Sequence, residues 1–412
     1  MSKRSDAIKR RVAGARGVLV LAVYMCGCAS LPGVVGLKLL ARKSRPFVIL
    51  QADERKGWGR ASHVFLCRVS ERRIAMTYWV AGDGAQAGVA PVPWPYYSDD
   101  GGLNWQAGDP YLWLDGPPTN QPVFIEKNAR FSNFENGYFF ASTRLPSGIR
   151  VAHGRRVVSQ SDGRFSLSVI TSEDGLFWSG PRQAPLNIPR EQERRPDWLI
   201  FEGKAACAPD GRILSVAYGP LDQDKTYSTV LIESRDGGIS YEMVSSIASP
   251  ASVPWSSHGP AEPALALLPN GELLVVMRTG GGWSQSGTGA ADPLLAARSS
   301  DGGRTWEYRK LPISGVMPKL ELMSDGTLVL AVGRPGNNLY FSRDNGRTWG
   351  RQVQLSPPDI RTSGYCDVLE VAPGRLLAVY DAMNTDLNGI WAWEPREVNA
   401  ILGVFVDVKE IF

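Results

Sequence analysis

The apolar positions of the chain fall in short runs, each opened by a turn signal. Asn270-Gly271 precedes Glu272-Leu273-Leu274, Asp325-Gly326 precedes Thr327-Leu328-Val329, and Pro373-Gly374 precedes Arg375-Leu376-Leu377. Upstream, Asp210-Gly211 leads into Arg212-Ile213-Leu214 and Ser147-Gly148 leads into Ile149. A degenerate copy, Arg72-Arg73 before Ile74-Ala75-Met76, opens the series. A strand with one wet face would alternate apolar and polar residues, so an unbroken apolar run predicts a strand buried on both faces. No long stretch carries a helical period. The pattern predicts an all-β protein of six similar units.

A second repeat is independent of the first. Ser-x-Asp-x-Gly-x-x-aromatic occurs at Ser98, Asp100, Gly102 and Trp105, at Ser299, Asp301, Gly303 and Trp306, and at Ser342, Asp344, Gly346 and Trp349. Tyr241 fills the aromatic slot after Ser234, Asp236 and Gly238, and Ser172, Asp174, Gly175 and Trp178 form a copy one residue shorter. The residue types suit a tight hairpin: Asp accepts from turn N–H groups, Ser closes the loop, Gly supplies positive φ and the aromatic ring is buried between strands. This motif resembles the Asp box, or BNR repeat, of sialidase-like propellers, where its role is structural. Six units of about four strands over roughly 360 residues predict a six-bladed β-propeller with Asp-box hairpins.

Composition narrows the picture. With 43% hydrophobic and 21% charged residues the chain buries a core, and 13 Trp, 44 Gly and 29 Pro suit many short strands and turns. The net charge of +4 is small and its Lys and Arg residues are scattered, so no basic stripe points to nucleic acid. Lys3, Arg4, Lys9, Arg10, Arg11 and Arg16 precede an apolar run from Gly17 to Met25, which predicts an export leader over residues 1–28. Met25-Cys26-Gly27-Cys28-Ala29 resembles a bacterial lipoprotein cleavage site with Cys28 as the lipidated residue, an ordinary leader being the alternative. A linker is expected over 29–45 and the propeller over 46–412, in an exported protein that is periplasmic, at the cell surface or secreted. Cys67, Cys207 and Cys366 have neither disulfide nor metal-ligand spacing and are expected in the core.

Repeats show where a unit places chemistry instead of packing. Nine residues before the turn glycine stand Glu202, Glu262 and Tyr365 in three units, but Phe139 and Met317 in two others. Seven or eight residues after it the strand ends at Tyr218, Arg278, Arg334 and Asp381. Equivalent positions of a propeller converge on its axis, so these residues are expected to meet at one mouth. The plainer readings are a core tyrosine for Tyr365, an ion pair within one unit for Glu262 and Arg278, a loop arginine for Arg334 and an ordinary turn for Asp83-Gly84. His63, His153 and His258 lack ligand spacing and are expected to be structural or at the surface, while Trp255 and Trp283 flank the Glu262 segment, where they could stack on a sugar.

Glu262-Pro263 leading through Leu268-Pro269-Asn270-Gly271 to Arg278 resembles the exo-sialidase segment that carries a catalytic Glu and one arginine of a carboxylate-binding triad. Ser363-Gly364-Tyr365, closing in Tyr380-Asp381, is similar to the segment holding that family's nucleophilic tyrosine, and Arg334 stands where the family has another triad arginine. Gly59-Arg60-Ala61-Ser62-His63 replaces the family's opening Arg-Ile-Pro, with Arg60 lying 23 residues before Asp83, about the family's spacing between its first arginine and its acid. The resemblance implies a retaining glycoside hydrolase acting on sialylated or other acidic glycans, with Tyr365 as nucleophile, Glu262 as its base and Asp83 as acid. It places Arg278, Arg334 and Arg60 on the carboxylate, with Glu202 lining the pocket, and it calls for no cofactor or metal.

The chemistry is consistent with those types. Guanidinium groups bind a carboxylate bidentately at any working pH. A carboxylate nucleophile approaching an anomeric centre that already bears a carboxylate meets repulsion of roughly 4 kcal/mol at ~4 Å and an effective dielectric of about 20, which a neutral phenol avoids. Two other readings remain open: a hydrolase or lyase for another acidic sugar on the same frame, and a non-catalytic glycan-binding propeller.

Overall fold

A computed structural model describes residues 38–51, 58–82, 95–116, 139–159, 164–188, 196, 198–221, 225–256, 258–280, 292–356, 362–382 and 400–411. Leu39–Glu410 form one compact unit, which the following account concerns. Among the described residues all regular structure is β, apart from one short 3-10 turn at Pro250–Ser252.

Three sheets are simple four-stranded antiparallel meanders. One runs Trp58–Arg68, Ile74–Gly82, Tyr96–Ser98 and Gln106–Ala107. A second runs Ala261–Leu267, Leu273–Arg278, Pro293–Ser299 and Glu307–Ser314, and a third Val316–Leu322, Leu328–Gly333, Asn337–Ser342 and Gly350–Gln354. The last sheet takes Cys366–Ala372, Arg375–Ala382 and Ala400–Ile411 from the C-terminal part and completes itself with Lys38–Lys43 and Phe47–Gln51 from the N-terminal part. Lys38–Lys43 is therefore a strand and not linker, and the expected boundary at residue 46 moves back: a sheet edge left open would present unpaired N–H and C=O groups, and these residues cover it.

Nine of the strands between Phe139 and Ala248 form a composite, while Phe177–Trp178 pairs in parallel with Leu112–Trp113 as a separate two-stranded sheet. Arg182–Asn187 pairs in parallel with Tyr241–Ala248 through Leu186 opposite Tyr241, and Ile200–Phe201 bridges Ile213–Gly219 to Arg150–Ser159. Pairing of Phe165–Ser172 with both Arg150–Ser159 and Arg182–Asn187 closes seven of these strands into a ring, filled by Val151, Leu167, Phe201, Ile213, Val230 and Tyr241.

The first strands of successive sheets adjoin in a circuit. Trp58–Arg68 packs against Phe139–Arg144, which meets Ala206–Cys207, which meets Ala261–Leu267; Val316–Leu322 and Cys366–Ala372 follow, and the latter returns to Trp58–Arg68. The core accordingly lies in wedges between neighbouring sheets, as where Leu274 and Val276 pack on Leu328 and Leu330, or Leu377 and Val379 on Ile74 and Met76. This explains the unbroken apolar runs, since each second strand is covered on both faces.

Asp boxes lock the sheets together. In the copy at Ser299, the Gly303 N–H donates to Ser299 Oγ at 2.8 Å, and the Thr305 N–H and hydroxyl donate to the two Asp301 oxygens at 3.0 and 2.6 Å. Gly303 has φ +91°, and a Cβ there would lie 2.1 Å from Leu231 of the preceding sheet, so the position demands glycine for both conformation and space.

Candidate functional site

Three first strands carry a bulge at the same place. The register breaks between Ser62 and Phe65, between Ala261 and Ala264, and between Val316 and Lys319. In each break sits a non-glycine residue of positive φ: His63 at 54°, Glu262 at 48° and Met317 at 49°. Such backbone costs a side-chain-bearing residue roughly 1–2 kcal/mol and re-aims that side chain. The three are equivalent. Each lies six residues before a residue whose N–H closes the following turn, Val69 on Arg73, Leu268 on Glu272 and Met323 on Thr327, and Glu202 and Phe139 stand likewise before Ala208 and Leu145.

Glu262 is the hub. Its Oε1 accepts the Tyr365 hydroxyl at 2.9 Å and lies 3.1 Å from Arg278 Nη1, while its Oε2 accepts the Met317 N–H at 3.0 Å. Three different sheets therefore contribute to one buried carboxylate. Burial, reinforced by the charge of Glu262, pushes the Tyr365 phenol well above its ordinary value, with Arg278 and Arg334 pulling the other way. Burial pulls Arg278 down, yet Glu262 and the neighbouring phenols hold its guanidinium above the usual value. The phenol is thus protonated at rest and hydrogen-bonded to a carboxyl group placed to receive its proton.

The segment before Tyr365 is shaped to bring Arg334 against it. A Cβ on Gly333 would fall 1.5 Å from the Gly364 carbonyl oxygen, and one on Gly364, at φ +85°, would fall 2.5 Å from Arg334 Cγ. With those contacts open, Arg334 Nε donates to the Ser363 carbonyl at 2.9 Å and its guanidinium carbon sits 5.4 Å from the centre of the Tyr365 ring. The Ser363 N–H donates to Asp381 Oδ1 at 3.0 Å, and the Tyr365 N–H to Ser363 Oγ at 3.2 Å. The His63 ring meets the Tyr365 ring edge-on at 4.1 Å between centres.

Glu202 has a different environment. Its carboxylate is ion-paired to Arg155, both side chains are buried, and Lys319 Nζ donates to its backbone carbonyl. Burial raises the Glu202 carboxyl, against the nearby charges of Arg155 and Lys319. Arg155 is a residue that the sequence reading missed. It stands seven residues after Gly148 as Arg278 stands seven after Gly271, so the same count would have found it. His63, assigned to structure or surface, is buried and its ring touches that of Tyr365; its unit opens with Arg72-Arg73, which offers no glycine to count from.

Beside this pair Tyr218 is buried and its phenol is pushed well up by burial and by Glu202 and Glu262. Its ring meets Tyr227 at 5.3 Å and Trp198 at 6.2 Å. Arg60 pairs through its backbone with Ala81, but its side chain, Asp83 and Trp283 lie outside the described residues. Trp255 donates to Thr279 Oγ1 at 3.3 Å, with Lys310 Nζ 4.8 Å over its ring. His153 is a core residue, as expected. Cys67 and Cys366 are buried and Cys207 is half-buried, all three unbridged.

The sequence profile of the BNR repeat-like domain matches residues 154–377, more than half of the chain, and this protein belongs to that family. The BNR/Asp-box repeat itself matches residues 96–107. No curated protein matches significantly. Among solved structures, the fold is similar to that of a Dyadobacter fermentans protein of unknown function, at 18% identity and TM-score 0.60 over 90% of this chain and 99% of the other. It is also similar to the NanB sialidase of Streptococcus pneumoniae, at 13% identity and TM-score 0.54 over 89% and 70% of the two chains. The α-L-arabinanase of Penicillium chrysogenum is similar at 15% identity and TM-score 0.54 over 88% and 98%. The fold is that of sialidase-like β-propellers, a frame shared by glycoside hydrolases of different specificity.

Proposed function

We propose that this protein is an exo-acting retaining glycoside hydrolase of the sialidase type, releasing terminal sialic acid or a related acidic sugar. The observation that carries the reading is the Tyr365 hydroxyl held 2.9 Å from Glu262 Oε1 with two arginines, Arg278 and Arg334, at the same phenol. The circuit of first strands supports a propeller of six blades, with these residues at its axis. An arabinan chain carries no charge and offers the half-buried guanidiniums of Arg278 and Arg334 no anion to bind; a sugar carboxylate does.

In this mechanism Arg278 and Arg334, joined by Arg60, bind the carboxylate on the anomeric carbon. Tyr365 Oη attacks that carbon and passes its proton to Glu262, while the bond to the leaving oxygen breaks and Asp83 protonates it. Water, deprotonated by Asp83, then displaces the tyrosine, which recovers its proton from Glu262, so configuration is retained. Glu202 keeps Arg155 neutralised beside the site. The leader over residues 1–28 would deliver the enzyme outside the cytoplasm, with Cys28 as a lipid anchor.

The test is release of a fluorophore from an α-linked sialoside by purified protein. Turnover abolished by Tyr365→Phe supports the reading. Activity confined to uronides, or glycan binding without turnover, overturns it in favour of another acidic-sugar enzyme or a lectin-like propeller respectively.

A further inference from the structure

We propose that His63 is a positioning residue for Tyr365, holding the phenol ring so that its oxygen stays on Glu262. The inference rests on the reading of Tyr365 as the nucleophile and adds to it a residue that the catalytic scheme does not contain. His63 occupies the same bulge as Glu262 and Met317, each with φ near +50°. At two of those places the re-aimed group reaches the same site: the carboxylate of Glu262 accepts the phenol, and the imidazole of His63 packs on the phenol ring at 4.1 Å with 62° between planes. The third, Met317, binds Glu262 through its N–H and packs beside Tyr365, Phe65 and Val316.

The imidazole is itself held. Its Nδ1 is 2.9 Å from Ser62 Oγ, and both residues are buried, at 5% and 4% exposure. The hydrogen bond fixes only the oxygen end of the phenol, which leaves the ring freedom to rotate among the groups packed beside it, Phe65, Val316, Met317 and Arg334. An edge-on aromatic partner removes that freedom, and misplacement of a reacting atom by about 1 Å costs on the order of a hundredfold in rate.

The variants follow from the backbone. Asn tolerates positive φ better than most residues, so His63→Asn removes the ring without adding backbone strain, and His63→Phe keeps a planar ring. Against a cleavable sialoside, His63→Asn should lower kcat by about thirtyfold with KM within about twofold of wild type, and His63→Phe should recover to within about threefold. A loss caused by general unfolding would show as a lowered thermal midpoint and would not be rescued by Phe. An independent readout uses no substrate: aromatic 13C NMR of labelled protein, with the Tyr365 signals identified by their disappearance in Tyr365→Phe. In His63→Asn these signals should sharpen and average as the ring flips faster. Unchanged Tyr365 signals in His63→Asn overturn the proposal, as does a wild-type kcat. Protein inert on every sialoside would refute the hydrolase reading and leave the NMR result to decide this one.

Discussion

At the scale of single residues, Glu262 shows how a buried carboxylate becomes useful. It is taken from water, and a phenol, a guanidinium and a backbone N–H replace the hydrogen bonds it loses there. Glu262→Gln keeps the shape and removes the proposed base; its kcat on a sialoside should fall by roughly a thousandfold with KM little changed, as measured by initial rates. Arg278→Lys should instead raise KM by about tenfold, because an ammonium cannot hold a carboxylate with two parallel bonds. Counting from turn glycines found Glu262, Tyr365 and Arg278, whose side chains the structure brings together. The same count found Glu202, whose carboxylate pairs with Arg155. What a count of residues cannot see is which neighbour a side chain meets across a sheet boundary.

At the scale of elements, the two repeats have different physical origins. The apolar runs reflect wedges of core on both faces of each second strand. The Asp boxes are local hairpins whose glycines also receive a side chain from the sheet before. Gly303→Ala would set a Cβ 2.1 Å from Leu231 at φ +91°, and is expected to cost about 2–4 kcal/mol, read as a lower denaturant midpoint at constant slope. The strand Lys38–Lys43 falls within the segment 29–45 read as linker. Only its partner strand, Ala400–Ile411 at the other end of the chain, makes it β. The bulges at His63, Glu262 and Met317 were not read from the sequence, although Pro263 and Pro318, which lack the N–H a ladder needs, stand inside two of the breaks.

For the whole molecule, the core contains an acid-sensitive point. His153 Nδ1 faces the Gly154 carbonyl at 2.9 Å and so carries the proton, which leaves Nε2 to accept from Ser215 Oγ at 2.8 Å. Burial lowers this imidazole from 6.5 to about 4, with the Gly154 bond pulling the other way. The unfolded chain therefore binds the proton first. Its contribution is present in full above pH 6.5 and is lost towards pH 4, about 3 kcal/mol in all. A further loss follows as the pH drops from 3.8 towards the value of about 2 held by Asp100, which burial alone would raise but which Asn104 and Ser98 hold down by hydrogen bonding. Denaturation midpoints measured between pH 7 and 4.5 should fall in the wild type and run flatter in His153→Gln.

Local chemistry was enough to determine the all-β class, the repeated units and the Asp-box hairpins, because a tight turn and a doubly covered strand each impose their residue types within a dozen positions. It also marked most of the ionisable residues that point toward one another. Tertiary structure alone decided that Tyr365, Glu262, Arg278 and His63 share a site, that Glu202 belongs to Arg155, and that the two ends of the chain complete one sheet. Those contacts join residues up to several hundred positions apart, and the energy that selects them lies in the packing between sheets, to which no single segment has access.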